Sequence, residues 1–306
     1  MTAPDGLLLA DKGSGVTSFQ VVAHLRRVLR VAKVGHGGTL DPMATGVLPI
    51  LLGRATKLTP YLQAQDKEYV ATIRLGVSTD TLDATGRIVA ERPVPPLEAT
   101  DIRTVLARFE GEIEQVPPMF SALHAGGRRL HELARAGIEV ERAPRRVRID
   151  AIELVEWSLP LLTVRVACGK GTYIRTLAAD LGAVVGCGAR LDALRRTRLG
   201  PFLLAAAAPW AAILEGDASV LGERVLPAER AVDHLPAVRL DDDAAWRLRC
   251  GRRLAAGEET GVTAPAGPCR LYVGDAFIGI GEAGPLGLRS LRLLHADHPR
   301  PRPVSG

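Results

Sequence analysis

The stretch "GHGGTLDPMATGVLPILLG", Gly35–Gly53, decides how the chain is read. Its first half is loop chemistry. Gly37 and Gly38 permit close backbone approach, and Asp41–Pro42 is a turn opener. Its second half, Val47–Leu52, is an apolar run of the kind that forms a buried strand. The result is a lone carboxylate, Asp41, held at the lip of a core. His36 shares the loop. Loops carried on a rigid scaffold are where sites are built, although an Asp-Pro turn also has a purely structural use.

Working outward, "GLLLADK" before the loop reads as a short buried strand. Thr17 or Ser18 caps a helix through about Leu29, with Val21, Val22, Leu25, Val28 and Leu29 on one face. After the loop, "RATKLTPYLQAQDK" is helical in pattern, with Pro60 early in a helix or breaking it. "KEYVATIRLG" alternates, placing Tyr69, Ala71, Ile73 and Leu75 on one face of a half-buried strand. "VSTDTLDATGRIV" is a polar loop returning to a strand, and "LEATDIRTVLARFEG" a helix with a glycine stop. "ELVEWSLPLLTVRVACGKG" gives two strands, and "TYIRTLAADLGAVVG" a helix with Thr172 near its start. "GARLDALRRTRLGPF" reads as helix and strand.

Residues 117–148 differ in character. They hold Arg128, Arg129, Arg135, Arg142, Arg145, Arg146 and Arg148 with few acids between. A solvated basic face is one reading. A mobile arm that contacts phosphates is the sharper one. Past Pro236 the composition shifts to short strands with glycine turns, and the tail from residue 295 is proline-rich and expected to be disordered.

Bulk properties bound the function. The 306 residues are 47% hydrophobic and 24% charged, which suits a folded chain with a sizeable core. Lys and Arg number 39 against 34 Asp and Glu, a modest basicity that hints at an anionic partner. Cys168, Cys187, Cys250 and Cys269 include no CxxC pair, so no zinc site or disulfide framework is expected. The start lacks a basic leader, and "FLLAAAAPWAAIL" is too short to span a bilayer. The expected compartment is the cytoplasm. There is no P-loop, GxGxxG, HExxH or GxSxG motif.

Two further residues invite chemistry. Tyr69 can present a ring to a planar substrate from the inner face of its strand. Arg175, in "GKGTYIRTL", can hold a carboxylate by a bidentate contact and lower its pKa.

Taken together, "LLLADKGSGVTS", "VGHGGTLDPMATGVLPILLGRATKL", "KEYVATIRLGVSTDTLDATG", "VPPMFSALHAGGRRLHELARAG", "CGKGTYIRTLAADLG" and "GARLDALRRTRLGPF" resemble the TruB family of tRNA pseudouridine-55 synthases. The match runs in family order from about residue 5 to 202 and is to the bacterial branch. It departs from the common pattern at Gly13, where proline is usual, at Gly37, where threonine is, and at His124 and Arg128, where lysine is.

The resemblance implies an α+β fold: a catalytic domain over residues 1–236 on a mixed, largely antiparallel sheet with flanking helices. It adds a β-rich PUA-like RNA-binding domain over 237–294. It implies breakage of the N1–C1′ bond of a uridine in the tRNA T stem-loop and formation of a C5–C1′ bond, without cofactor or metal. Asp41 is then the one essential carboxylate, with Arg175 and Tyr69 as catalytic partners. Tyr69 stacks on the flipped base, His36 lies beside the displaced nucleotide, and Tyr173 and Leu194 line the pocket. Arg128, Arg129, Arg145 and Arg146 of the arm contact RNA. The expected partner is tRNA and the expected state a monomer with no membrane association. The competing expectation is a non-catalytic RNA-binding protein or tRNA-folding chaperone. A hydrolase using Asp41 and His36 lacks the second carboxylate that glycoside hydrolysis uses.

Overall fold

The computed structural model describes residues 5–121, 124–125, 127–255 and 266–294. In chain order the first half contributes β1 (Gly6–Lys12), α1 (Ser18–Val28), β2 (Val34–His36), β3 (Thr45–Leu52), α2 (Thr59–Gln63) and β4 (Lys67–Leu75). A hairpin of β5 (Val77–Thr79) and β6 (Ile88–Glu91) follows, then α3 (Ala99–Ala107) and β7 (Gly111–Gln115). The basic segment forms β8 (His124–Ala125), β9 (Arg128–Arg129) and α4 (Leu130–Arg135). Next come β10 (Arg145–Ser158), β11 (Leu161–Cys168), α5 (Ile174–Val185), β12 (Ala189–Leu199), β13 (Phe202–Leu203), β14 (Ala208–Pro209), α6 (Trp210–Glu215) and α7 (Ala218–Glu223).

The main sheet has the order β14-β1-β3-β12-β4-β11-β10-β7, with β2 on β3 and β13 on β12. Among the described residues of this sheet only β1–β14 and β12–β3 pair in parallel, so the sheet is mixed and largely antiparallel, as expected. The hydropathy of each strand follows from its cover. Leu8, Ala10, Leu48 and Ile50 pack with α1 and α5, while Leu7, Leu9, Val47 and Leu51 enter a second cluster on the opposite face. A strand buried on both faces reads as a continuous apolar run. β4 is fully buried on one face only, through Tyr69, Ala71, Ile73 and Leu75, and so alternates.

One reading needs correction. "GARLDALRRTRLGPF" holds no helix: Ala189–Leu199 is one strand. Its buried residues are Ala189, Leu191, Leu194, Arg196 and Leu199, because irregularities in its pairing with β4 fall at Leu191/Ala193 and Arg196/Arg198. Each bulge adds a residue to the period of two, and the sum imitates helical spacing. Thr172 does lie near the start of α5, one residue before its N-cap. Tyr173 is the N-cap residue and its side chain makes no capping bond. Gln115 of β7 serves instead: its Oε1 accepts from Tyr173 N (3.0 Å) and its Nε2 donates to Tyr173 O (3.3 Å). Pro60 does sit in the first turn of α2, after a 3-10 turn over Gly53–Leu58.

The chain closes on its own beginning. Leu7 and Leu226 exchange both backbone bonds, at 2.9 and 2.7 Å. Beyond Pro236 a separate four-stranded sheet forms from β15 (Ala237–Leu240), β16 (Gly267–Val273), β17 (Ala276–Gly284) and β18 (Gly287–Leu293), in that order. It carries α8 (Asp242–Arg249) and a core of its own around Val238, Leu248 and Leu271. Ile280 and Leu294 reach from it into the cluster under β1 and β3. The expected tail, residues 295–306, lies outside the described residues. No described helix is long and apolar enough to cross a membrane.

Candidate active site

The Asp41 loop is clamped on both sides of the carboxylate. Before it, Leu40 N donates to Ser18 Oγ (2.9 Å), and Ser18 Oγ donates back to Leu40 O (3.1 Å). After it, Pro42 O accepts from Gly15 N (2.9 Å) and from Lys12 Nζ (3.2 Å). The glycines let the loop lie close to the sheet. A Cβ on Gly37 would press on Leu62 at 3.2 Å, and Gly38 has φ +151°. A side chain on Gly46 (φ +109°) would run into the Arg196 backbone.

Asp41 and Arg175 meet. Arg175 Nε lies 2.8 Å from Asp41 Oδ2, and Nη2 donates to Asp41 Oδ1 at 3.1 Å, which is the bidentate fork. The arginine side chain is 5% exposed and the aspartate 32%, so the pair is dry on one side and open to a ligand on the other. Nη2 also donates to Phe120 O (2.8 Å) and Nη1 to Thr81 O (3.2 Å). α5 supplies the arginine from its first turn, where Gln115 fixes the helix start.

The expected lowering of the Asp41 pKa is not the net result. Burial pushes the carboxyl above the usual carboxylate range. The Arg175 guanidinium pulls it back and the charge of Asp83 adds to the rise. Asp83 is a second carboxylate that sequence reading passed over. It lies in the β5–β6 turn, 3.8 Å from Arg175 Nε. Its Oδ1 accepts from Thr81 Oγ1 (2.7 Å), Thr85 Oγ1 (2.6 Å) and Thr85 N (3.0 Å). It is buried and occupied, so it orients the arginine and leaves Asp41 as the carboxylate open to the pocket. The signal was present in "TLDAT", an aspartate with threonines two residues to either side, a side-chain turn pattern.

Tyr69 and Leu194 are buried on neighbouring strands, with Leu194 opposite Ala71 and Arg196 opposite Tyr69 in the β4–β12 ladder. Cross-strand partners share a face, so these side chains form one floor. Burial raises the Tyr69 phenol above its ordinary pKa, so it is neutral near pH 7. His36, at the end of β2, is half-buried. Burial and the Arg196 charge hold its imidazole below the usual histidine range. Its Nδ1 is buried with no hydrogen-bond partner among the described residues. Tyr173 is half-buried at the mouth of α5. Lys12 and Arg196, also missed, are both fully buried, and burial drops the Lys12 amine to about 8.

Arg145 and Arg146 lie at the start of β10, paired with Gln115 and Glu114 of the edge strand β7, with their side chains exposed. They are sheet residues rather than part of a free arm. The side chains of Arg128 and Arg129 lie outside the described residues. The segment's base is tied by Arg142 Nη1, which donates to Pro117 O (3.2 Å), and its short helix buries Leu130 and Leu133.

Comparison with known proteins shows the family. The TruB family pseudouridylate synthase N-terminal domain matches residues 26–174, and the tRNA pseudouridylate synthase B C-terminal domain matches 175–233, ending before the second sheet. The chain is 47% identical over 290 residues to a tRNA pseudouridine synthase B of Azoarcus sp. (strain BH72), covering 95% of each protein. It is 45% identical over 302 residues to one from Chromohalobacter salexigens, covering 97% of this chain and 98% of that protein. Among solved structures, a Cbf5-Nop10-Gar1 complex superposes with a TM-score of 0.73 at 28% identity, over 95% of this chain and 85% of the other. An H/ACA RNP bound to a substrate RNA containing 2'-deoxyuridine gives 0.71 at 27%, over 96% and 86%. On these matches the chain belongs to the TruB family of pseudouridylate synthases, and it is an isomerase.

Proposed function

We propose that this tRNA pseudouridine synthase acts on the uridine at position 55 of the T stem-loop, with Asp41 as its reacting carboxylate. The observation that carries the reading is the Asp41–Arg175 fork, which presents one aimed carboxylate to an otherwise dry site.

The reaction is an isomerisation. The N1–C1′ bond breaks, the electron pair leaves with the uracil, and the base turns. C5 then bonds to C1′, loses its proton, and N1 gains one. Asp41 either attacks C1′ or takes the C2′ proton; both need it ionised and held. Arg175 holds it by two donors, and Asp83 and two backbone carbonyls hold Arg175. Water at C1′ would convert the reaction into hydrolysis, which is why the carboxylate sits in a closed floor.

The base must leave the stack of a folded RNA arm to reach Asp41. Tyr69 stacks on it, with Leu194 and Tyr173 lining the pocket. His36, neutral and with an unpartnered Nδ1, lies beside the vacated position and finds its partner in the RNA. Arg128, Arg129, Arg145 and Arg146 meet phosphates, and the second sheet serves as a PUA-like module for the rest of the RNA. Likeness to an RNA-bound enzyme supports RNA as the substrate. The protein acts as a monomer in the cytoplasm.

An unmodified tRNA transcript incubated with the protein tests this. Pseudouridine at position 55 is the expected product. Released uracil would mean a hydrolase, and unchanged uridine a pure binding protein or folding chaperone.

A further inference from the structure

Between Asp11 and Asp41 the chain has no Asp or Glu, yet it carries Lys12, Arg26, Arg27, Arg30 and Lys33. Lys12 is buried under the Asp41 loop. The other four are exposed, at the end of α1 and on the turn into β2. Among the described residues none of the four has a carboxylate partner. α1 turns Val21, Val22 and Leu25 to the core. Phe19, Ala23 and Arg26 recur at helical spacing on the outer face, with Arg27 beside them and Arg30 just past the end. This face borders a groove of about 530 Å³. Val22, Val31 and Val34 line it with apolar surface, and Phe19, Arg26, Arg27 and Arg30 add a ring and three guanidiniums.

Cations in a last turn suit the helix dipole, which accounts for Arg26 and Arg27. It does not account for Phe19, whose ring is 73% exposed, or for Arg30. Arg30 follows the C-cap at φ +51°, with Val31 N donating to Arg26 O (3.3 Å). That left-handed position favours glycine and strains a side chain. A strained residue beside an apolar groove, carrying an unpaired charge, is a pointer to function. The groove also joins the site. Ser18, at the other end of α1, clamps Leu40. Val34 lies two residues before His36 on β2, so both project from the same side of that strand. In sheet order, β2 and β3 stand on one side of the Tyr69 strand, and β10 and β7, with Arg145 and Arg146, on the other.

We propose that the α1–β2 groove binds the ribose–phosphate backbone of the tRNA on the flank opposite the basic segment: Arg26, Arg27 and Arg30 meet phosphates and Phe19 packs on a sugar or base. The inference rests on the tRNA reading and adds a second contact surface to it. Guanidinium forks match phosphate oxygens, and an exposed ring beside them finds a planar partner in nucleic acid. An acidic peptide would use the charge alone.

The test is the affinity of an unmodified tRNA transcript, and of a T stem-loop hairpin, measured across salt concentrations. Thermal midpoint and single-turnover rate at saturating RNA are read in parallel. Arg26→Gln combined with Arg27→Gln and Arg30→Gln should weaken tRNA binding at least about tenfold near ~0.1 M salt. The salt slope should fall by about 1 for each lost contact. Arg30→Gly is the sharper variant. It relieves the left-handed residue, so the midpoint holds or rises while affinity and slope both fall. Phe19→Ala should cost about fivefold in affinity with the slope unchanged, the low end for a stacked base. The losses lie in affinity, with the rate at saturating RNA within about twofold of the unsubstituted protein. Weakening with the hairpin assigns the groove to the T arm, and weakening confined to whole tRNA assigns it to backbone outside that arm. Unchanged affinity and slope in the arginine variants overturn the proposal and leave the synthase reading intact. So does a loss confined to the saturated rate, because α1 then acts only by holding Leu40 through Ser18. If the triple variant fails to fold, Arg30→Gly decides alone. Arginine-dependent tRNA binding by a protein that forms no pseudouridine would strike the enzymatic reading and uphold this one.

Discussion

Arginine does two opposite things in this molecule. On the floor, Arg175 and Arg196 are nearly sealed from water and every contact is fixed. At the foot of the basic segment, Arg145 and Arg146 sit on a strand with their side chains open to solvent. Burial converts a guanidinium into a rigid donor whose field is barely screened. Exposure leaves it a salt-sensitive partner for phosphate. The contrast teaches that net charge, here only +5, says little about where a basic protein does its chemistry.

The contrast can be broken at its strongest point first. Asp41→Asn keeps shape and removes the charge that the floor is built to hold. Pseudouridine formation should fall on the order of 10⁴-fold, the upper range for a reacting carboxylate, with RNA affinity retained because phosphate contacts supply it. Appreciable turnover by the purified variant would show that the floor serves another purpose. Arg175→Met comes next. Removing one member of a buried pair costs roughly 3–5 kcal/mol, so the rate should drop severely. Arg175→Lys keeps the charge but not the fork and should lose less. Equal losses in both would mean that charge without the fork holds nothing, and near-normal rates in both would mean that the pair is idle.

The pH profile sharpens the same point. Asp41 must be ionised to act, and its pKa is raised by burial. Activity is therefore present above that pKa and lost as pH falls through it, at a higher pH than an exposed aspartate would set. In Arg175→Lys the opposing pull weakens, so the acid limb should move further up. Single-turnover rates from acidic to neutral pH measure it, and a limb at the ordinary aspartate position would contradict the burial. The smallest effect belongs to the exposed side. Arg128→Ala with Arg129→Ala should weaken tRNA binding across sequences and reduce the salt slope by about 1 for each lost phosphate contact. Chemistry on bound RNA should stay normal. Identical slopes would make these residues a solvated face.

The legible part of the site was local. Asp41 stood out because its glycines, turn and strand are contiguous, and Arg175 because it opens a helix after "GKGT". What stayed hidden was non-local. Gln115 caps α5 from 58 residues away. Asp83 steadies Arg175 from a loop that read as merely polar. Arg196 looked like one basic residue among several in "LRRTR", since the bulges of β12 disguised which of them points inward. Periodicity shows a face only while the period holds.

The closing bond between Leu7 and Leu226 has a consequence for the chain as it is made. β1 pairs on one edge with the nearby β3, yet its remaining partners lie far down the chain: β14 at Ala208–Pro209 and Leu226 after that. The apolar cluster beneath it is completed by Ile280 and Leu294, further along still. Such long-range closure must be reached before it rewards the chain, which slows folding. β1 thus keeps backbone of "GLLLA" open to another strand edge until the chain through Leu226 is available. Until that distant stretch docks, the first strand of the sheet is exposed to the wrong neighbours.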